Sequence, residues 1–210
     1  MHTNDSSIHT TAELDSHADT CTFGQGARIV RETGHTISVD GFNEGVGTLK
    51  NIPIVTAAVA YDDPNSQVTY ILFYHQSLYI KSLKKHLLCP EQMRRNQVEV
   101  NLTPLTHIQE PDRRHTDHSI IYTDPHTLHT MHIPLELHGT TSLFYVRTPT
   151  HQEVASDENC IHVHVTSEST WEPYDETFYH DEDTIHLSLD SELHVRGREL
   201  NAISTESTKP

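Results

Sequence analysis

Two apolar runs, residues 52–61 and 68–74, constrain this chain more than any other feature. Both are rich in Ile, Val and Tyr, and the turn-forming set Asp62, Asp63, Pro64, Asn65 and Ser66 separates them. Runs of this length and composition predict the two arms of a half- or fully buried β-hairpin, with residues 77–80 extending it or forming one more short strand. Further strands are expected over residues 27–31 and 35–39, bracketing a turn at Glu32, Thr33 and Gly34, and over 98–102, 119–122, 128–137 and 141–147. Gly139 turns between the last two. Only residues 81–96 change period. Leu83, Leu87, Leu88 and Met93 approach helical spacing, Pro90 suits a first helical turn, and Glu91 lies near the positive end of the dipole. These predict one short helix over about 90–96 in a mainly β fold.

At 210 residues the chain is long enough for one domain with a tail, and its mean hydropathy of −0.55 leaves much of it solvated. Residues 1–7 read as a flexible start and 8–155 as the folded domain, with a core over 8–103 and additional strands over 119–147. Acids accumulate from Ser156 onward, so 156–210 reads as a largely disordered acidic tail, interrupted by the apolar stretches 160–165 and 185–189. A net charge of −16 argues against nucleic acid or an anionic membrane as partner. No apolar run is long enough to span a membrane, and the first residues lack a secretory h-region. Three scattered cysteines, Cys21, Cys89 and Cys160, make no disulfide framework. The expected setting is intracellular, reducing and cytoplasmic. Nineteen histidines make the charge state steep between about pH 5 and 7.

Chemistry enters between Ala12 and Gly24. An apolar approach (Ile8, Ala12, Leu14) runs into Asp15 and Ser16, then the small Ala18 and a second acid, Asp19. Such a stretch predicts a strand that stops in a tight turn and presents a carboxylate at its end. Two carboxylates held face to face share one proton, so that one activates a water and the other protonates a scissile carbonyl. Ser16 would brace the turn through a backbone group across that pair. The bland alternative is ordinary Asp and Ser turn chemistry at a surface. Downstream, Gly41, Gly45 and Gly47 fall within seven positions, a density that allows a mobile hairpin tip or close backbone approach to a ligand. No Gly-Lys-Ser/Thr comes after it, so it is not a phosphate loop.

The order of Asp-Ser turn, two strands, glycine-rich loop, long hairpin and Leu-Leu-containing helix resembles the retropepsin fold, the half-size aspartic protease of retroviruses and long-terminal-repeat retrotransposons. It is most similar to the protease region of copia-type retrotransposon polyproteins of diatoms and other algae. Three stretches carry the likeness, residues 13–21, 52–61 and 86–94. Residues 133–139 and 147–150 resemble the segments C-terminal to the helix in those polyproteins, and the whole likeness covers roughly 8–155. The resemblance implies a closed β-barrel, with Asp15 as catalytic carboxylate and Ser16 as its bracing hydroxyl. His17, Ala18 and Asp19 would line the substrate, Asp19 binding its backbone, and Gly41, Gly45 and Gly47 would form the flap. Leu87 and Leu88 would pack behind the turn. One Asp-Ser turn per chain implies a homodimer acting on a polyprotein substrate, in the cytoplasm or within virus-like particles, with water as nucleophile and no metal or organic cofactor. Three departures stand out. His17 occupies the place of a glycine, where it crowds the site and, when charged, opposes the protonated half of the dyad. Ser82, Leu83, Lys84 and Lys85 stand where the fold places glycine before its helix, and fourteen residues precede Asp15, fewer than the usual leading strands.

Rival readings rest on fewer residues. A bilobal monomer needs a second turn, and the only candidate, Asp190 and Ser191, leads into the unsuitable Glu192 and Leu193. Metal binding would use Cys160, His162 and His164, which share a strand face, or His126, His129 and His132 at every third residue. The bland account of both is a wet polar face. Cys21 reads as a buried structural thiol rather than a redox neighbour of the site. A rival of another class is a β module that dimerises or binds peptides without cleaving them.

Overall fold

In the computed structural model, residues 9–40, 47–109, 114, 116–178 and 180 are described. Strand β1 (His9–Leu14) turns Ala12 and Leu14 inward and leads through a tight turn to β2 (Thr22–Phe23). Strands β3 (Arg28–Asp40), β4 (Thr48–Asp62) and β5 (Thr69–Tyr79) form the long antiparallel meander that the apolar runs predict. Asp63 caps the β4–β5 turn, accepting from Asn65 N at 2.9 Å and from Ser66 Oγ at 2.6 Å. Next come β6 (His86–Leu88), helix α1 (Pro90–Arg94), β7 (Glu99–Asn101) and a 3-10 turn at Leu105–His107. The remaining elements are β8 (Ser119–Thr123), β9 (Thr130–Pro134), β10 (Glu136–His138), β11 (Thr141–Arg147), α2 (His151–Ala155) and β12 (Ile161–His164).

Nine of the strands form one sheet in the order β10-β11-β1-β6-β2-β5-β4-β3, with β12 beside β5. Arg147 of β11 also pairs with Ala60 of β4. Strands β7, β8 and β9 form a second, antiparallel sheet. The near-continuous apolar character of β4 and β5 has a direct cause: the sheet is covered on both faces there. Val55, Ala57, Val59, Tyr61, Leu72 and Tyr74 face the main core. Ala58, Ala60, Ile71 and Phe73 face a smaller one with Cys160, against which Val154 of α2 packs. The outer half of β3 and the first residues of β4 are exposed on both faces, so the hairpin leaves the core as an arm.

Arg147 ties three elements together. Its guanidinium donates to both Asp62 oxygens (2.7 and 3.0 Å) and both Glu153 oxygens (2.7 and 2.9 Å). That guanidinium holds the Glu153 carboxyl down at about 2.

Several expectations are corrected. Residues 27–31 and 35–39 are one strand, not two around a turn. The register slips between Glu32 and Thr36, Gly34 takes φ +82°, and Thr33 Oγ1 donates to Ile54 O at 2.8 Å, making a bulge. There are three short helical segments among the described residues, not one; α2 was missed although Thr150 and Glu153 form a capping box. The folded unit runs to Trp171 rather than stopping at 155, because Ile161, Val163 and Val165 alternate and bury one face of β12 on the core. Residues 172–210 form a separate unit, in which Asp175 accepts from Thr177 N at 2.8 Å. The expected flexible start, residues 1–7, and the possible second turn at Asp190 lie outside the described residues. No described helix is long and apolar enough to cross a membrane.

Candidate active site

Strand β1 runs parallel to β6, with Leu14 opposite Leu88, and Asp15 N extends that ladder by donating to Leu88 O at 3.0 Å. There the chain reverses. Asp15 Oδ1 accepts from His17 N at 2.9 Å and Asp15 O from Ala18 N at 3.2 Å, an Asx-type turn that fixes the carboxylate at the strand end. The Asp15 side chain is 42% exposed and that of His17 is 96% exposed, with His17 Nδ1 3.9 Å from Asp15 Oδ1. Ser16 is exposed too, and its hydroxyl lies 3.5 Å from His17 Nδ1. Asp15, Ser16, His17, Ala18 and Asp19 therefore share one surface turn on a buried strand.

The turn is braced from behind. Leu88 is fully buried, and α1 comes directly after it. Gln92 of that helix is buried; its Oε1 accepts from Cys21 N at 2.9 Å, and its Nε2 donates to Gln76 O at 3.2 Å. Cys89 caps the helix, accepting at Sγ from Gln92 N, while its own N–H donates to Cys21 Sγ at 3.2 Å. Burial pushes the Cys21 thiol far up, so it is a structural thiol, as expected. Gln92 was missed in the sequence; a lone glutamine on a short helix carries no pattern that announces two backbone partners.

The glycines expected to form a flap divide. Gly47 takes φ +79°, a left-handed conformation that favours glycine, and immediately precedes β4 at the outer end of the β3–β4 arm. Gly41 and Gly45 lie outside the described residues. Trp171 Nε1 donates to Asp19 O at 2.8 Å, a contact across most of the sequence that no local signal foretold.

Comparison with protein-family models, curated proteins and solved structures finds no match.

The anticipated metal sets do not assemble. His162 Nε2 lies 2.7 Å from Glu153 O, Cys160 Sγ donates to Glu153 O and Ser156 O, and His129 Nε2 lies 3.0 Å from the Tyr70 hydroxyl. His164 instead meets His75 and Glu168.

His86 gives the region a pH dependence. It is fully buried, its Nδ1 accepts from Gly24 N at 3.2 Å, and the proton therefore sits on Nε2, which has no hydrogen-bond partner. Burial pushes its pKa down to about 4. An unfolded histidine titrates near ~6.5, so the unfolded chain takes the proton first. Stability from this group is full above about pH 6.5, falls as the pH drops toward 4 and is flat below it, a loss of about 3 kcal/mol. Burial likewise lowers the pKa of His118 and, most strongly among its causes, that of His75. Urea unfolding at a series of pH values should show this slope and His86→Phe should make it shallower; an unaltered slope in the variant contradicts the assignment.

Proposed function

We propose that this chain is an aspartic endopeptidase of retropepsin type that cleaves a retrotransposon polyprotein as a homodimer. The observation that carries the reading is Asp15: a half-exposed carboxylate at the abrupt end of β1, fixed by its own turn and backed by Leu88. A surface position lets the Asp15 of a second copy approach across a two-fold axis. The pair then holds one proton. The ionised member takes a proton from water as that water attacks the peptide carbonyl carbon, and the protonated member donates to the carbonyl oxygen. As the resulting tetrahedral diol collapses and the C–N bond breaks, the carboxyl that took the water proton gives it to the leaving amine, and the other carboxylate takes a proton back from a diol hydroxyl.

Other features support the same reading. The Arg147–Ala60 pairing, with the Arg147 clamp on Asp62 and Glu153, fits closure of the sheet into a barrel. The exposed β3–β4 arm suits a flap that closes over an extended peptide. On this reading Asp19, which follows Asp15 in the same turn, meets that peptide's backbone.

The alternative is a dimerising or peptide-binding module without cleavage. His17 favours it, since its ring nitrogen lies 3.9 Å from Asp15 and a proton on that ring opposes a protonated carboxyl beside it. Incubation of the full chain with a peptide mixture at pH 4–6, with and without pepstatin, distinguishes the two. Pepstatin-sensitive cleavage is the expected result. Peptide binding without cleavage selects the module.

A further inference from the structure

Strands β4, β5 and β12 lie side by side, with Ala58 opposite Phe73 and Phe73 opposite His164. Residues two apart share a face, so Thr56, His75 and His164 form a polar row across three strands. Thr56 Oγ1 lies 3.1 Å from His75 Nδ1, and His75 Nε2 lies 2.8 Å from His164 Nδ1. Glu168 Oε1 is 3.9 Å from the same Nε2, and the ligand atoms of all three side chains fall within 4.8 Å of one another.

We propose that His75, His164 and Glu168 form a binding site for a divalent transition-metal ion of the zinc type. Several features make this a built site rather than a chance meeting of surface histidines. His75 is only 4% exposed, and the Thr56 hydroxyl occupies its Nδ1, leaving Nε2 aimed at the other two ligands. The chain bearing the other ligands is held by its backbone. Val165 N donates to Phe73 O at 2.8 Å, Thr166 Oγ1 to His75 O at 2.8 Å, and Gln76 Nε2 to Glu168 O at 3.0 Å. Asn96 Nδ2 donates to His164 O at 2.9 Å. Arg31 Nη2 stands 3.9 Å from the second Glu168 oxygen, where it can steady the carboxylate from outside.

The two imidazoles are parallel within 5° at a centroid separation of 5.0 Å. With the nitrogens 2.8 Å apart, that separation places the rings edge to edge, sharing one proton, rather than face to face. A metal ion displaces that proton. Bonds of roughly 2.0–2.1 Å in a tetrahedral arrangement put two nitrogens about 3.3 Å apart. His164, exposed at the end of β12, opens the gap by a small side-chain rotation while His75 stays fixed. Two imidazoles and one carboxylate suit zinc and its neighbours better than calcium or magnesium, which prefer all-oxygen sites. The exposure of His164 and Glu168 leaves the fourth position to water.

The test uses the full chain stripped by chelator and titrated calorimetrically with Zn²⁺. The expected result is one saturable high-affinity site and a raised melting temperature. His164→Asn and Glu168→Gln, both at exposed positions, should each weaken that site at least about tenfold. His126→Asn, at another exposed histidine, should leave it unchanged. Co²⁺ should give the visible bands of a low-coordinate nitrogen–oxygen site without a thiolate charge-transfer band. No saturable Zn²⁺ site, or one that survives both ligand substitutions, overturns the proposal. Cleavage activity plays no part in this readout, so its outcome is separable from that of the protease reading.

Discussion

Asp15→Asn is expected to lower kcat for peptide hydrolysis at pH 4–6 by at least about 10³-fold while leaving the fold intact. The reason is the division of labour within one side chain. Oδ1 accepts from His17 N at 2.9 Å and so holds the turn, a role that the asparagine oxygen keeps. In the proposed mechanism the shared proton and the negative charge require a carboxylate, and an amide supplies neither. Asp15→Ala removes both roles, so it should be equally inactive and also lose about 1 kcal/mol of stability. Activity in Asp15→Asn near the unmodified level contradicts the mechanism.

Gly24→Ala should be the most damaging glycine-to-alanine change among the described glycines. A Cβ at Gly24 would lie 2.1 Å from the Leu83 carbonyl oxygen, and that oxygen also accepts from Gln25 N at 3.3 Å. The obstruction is backbone, which has no rotamer to escape into, and Gly24 N is itself bound to the buried His86. A loss of about 3 kcal/mol or more is expected, seen as a lowered midpoint in urea unfolding. Gly34→Ala meets no atom within 4 Å and is strained only by its φ of +82°, so its loss should be about 1 kcal/mol. Equal effects at the two positions would contradict the packing around the turn.

What the sequence made legible was whatever physical pattern repeats locally. The apolar runs around Asp63 announced β4 and β5 because burial on both faces removes polar residues from both sides of a strand. Pro90 and Glu91 announced α1. The Asp15 turn was legible as a strand that meets turn formers. Less visible were interactions between distant residues. The Arg147 clamp, Gln92 behind the turn, Trp171 on Asp19 and the His75–His164 pair join positions that no periodicity links. The acidity after Ser156 concealed β12, because composition averaged over a window hides a four-residue alternation of Ile and Val with His. At Gly34 the same glycine signal fits a turn or a bulge, and only the pairing register distinguishes them.

The central claim is that the working site needs one Asp15 from each of two chains. A mixing experiment addresses it most directly: hold the unmodified chain at fixed concentration, add increasing Asp15→Asn chain, allow exchange, and follow the cleavage rate at pH 5. If the carboxylates pair across subunits, the inactive chain draws active subunits into dead heterodimers and the rate falls steadily toward zero. A rate that stays constant while heterodimers form would mean that a single chain suffices, and the account would be wrong.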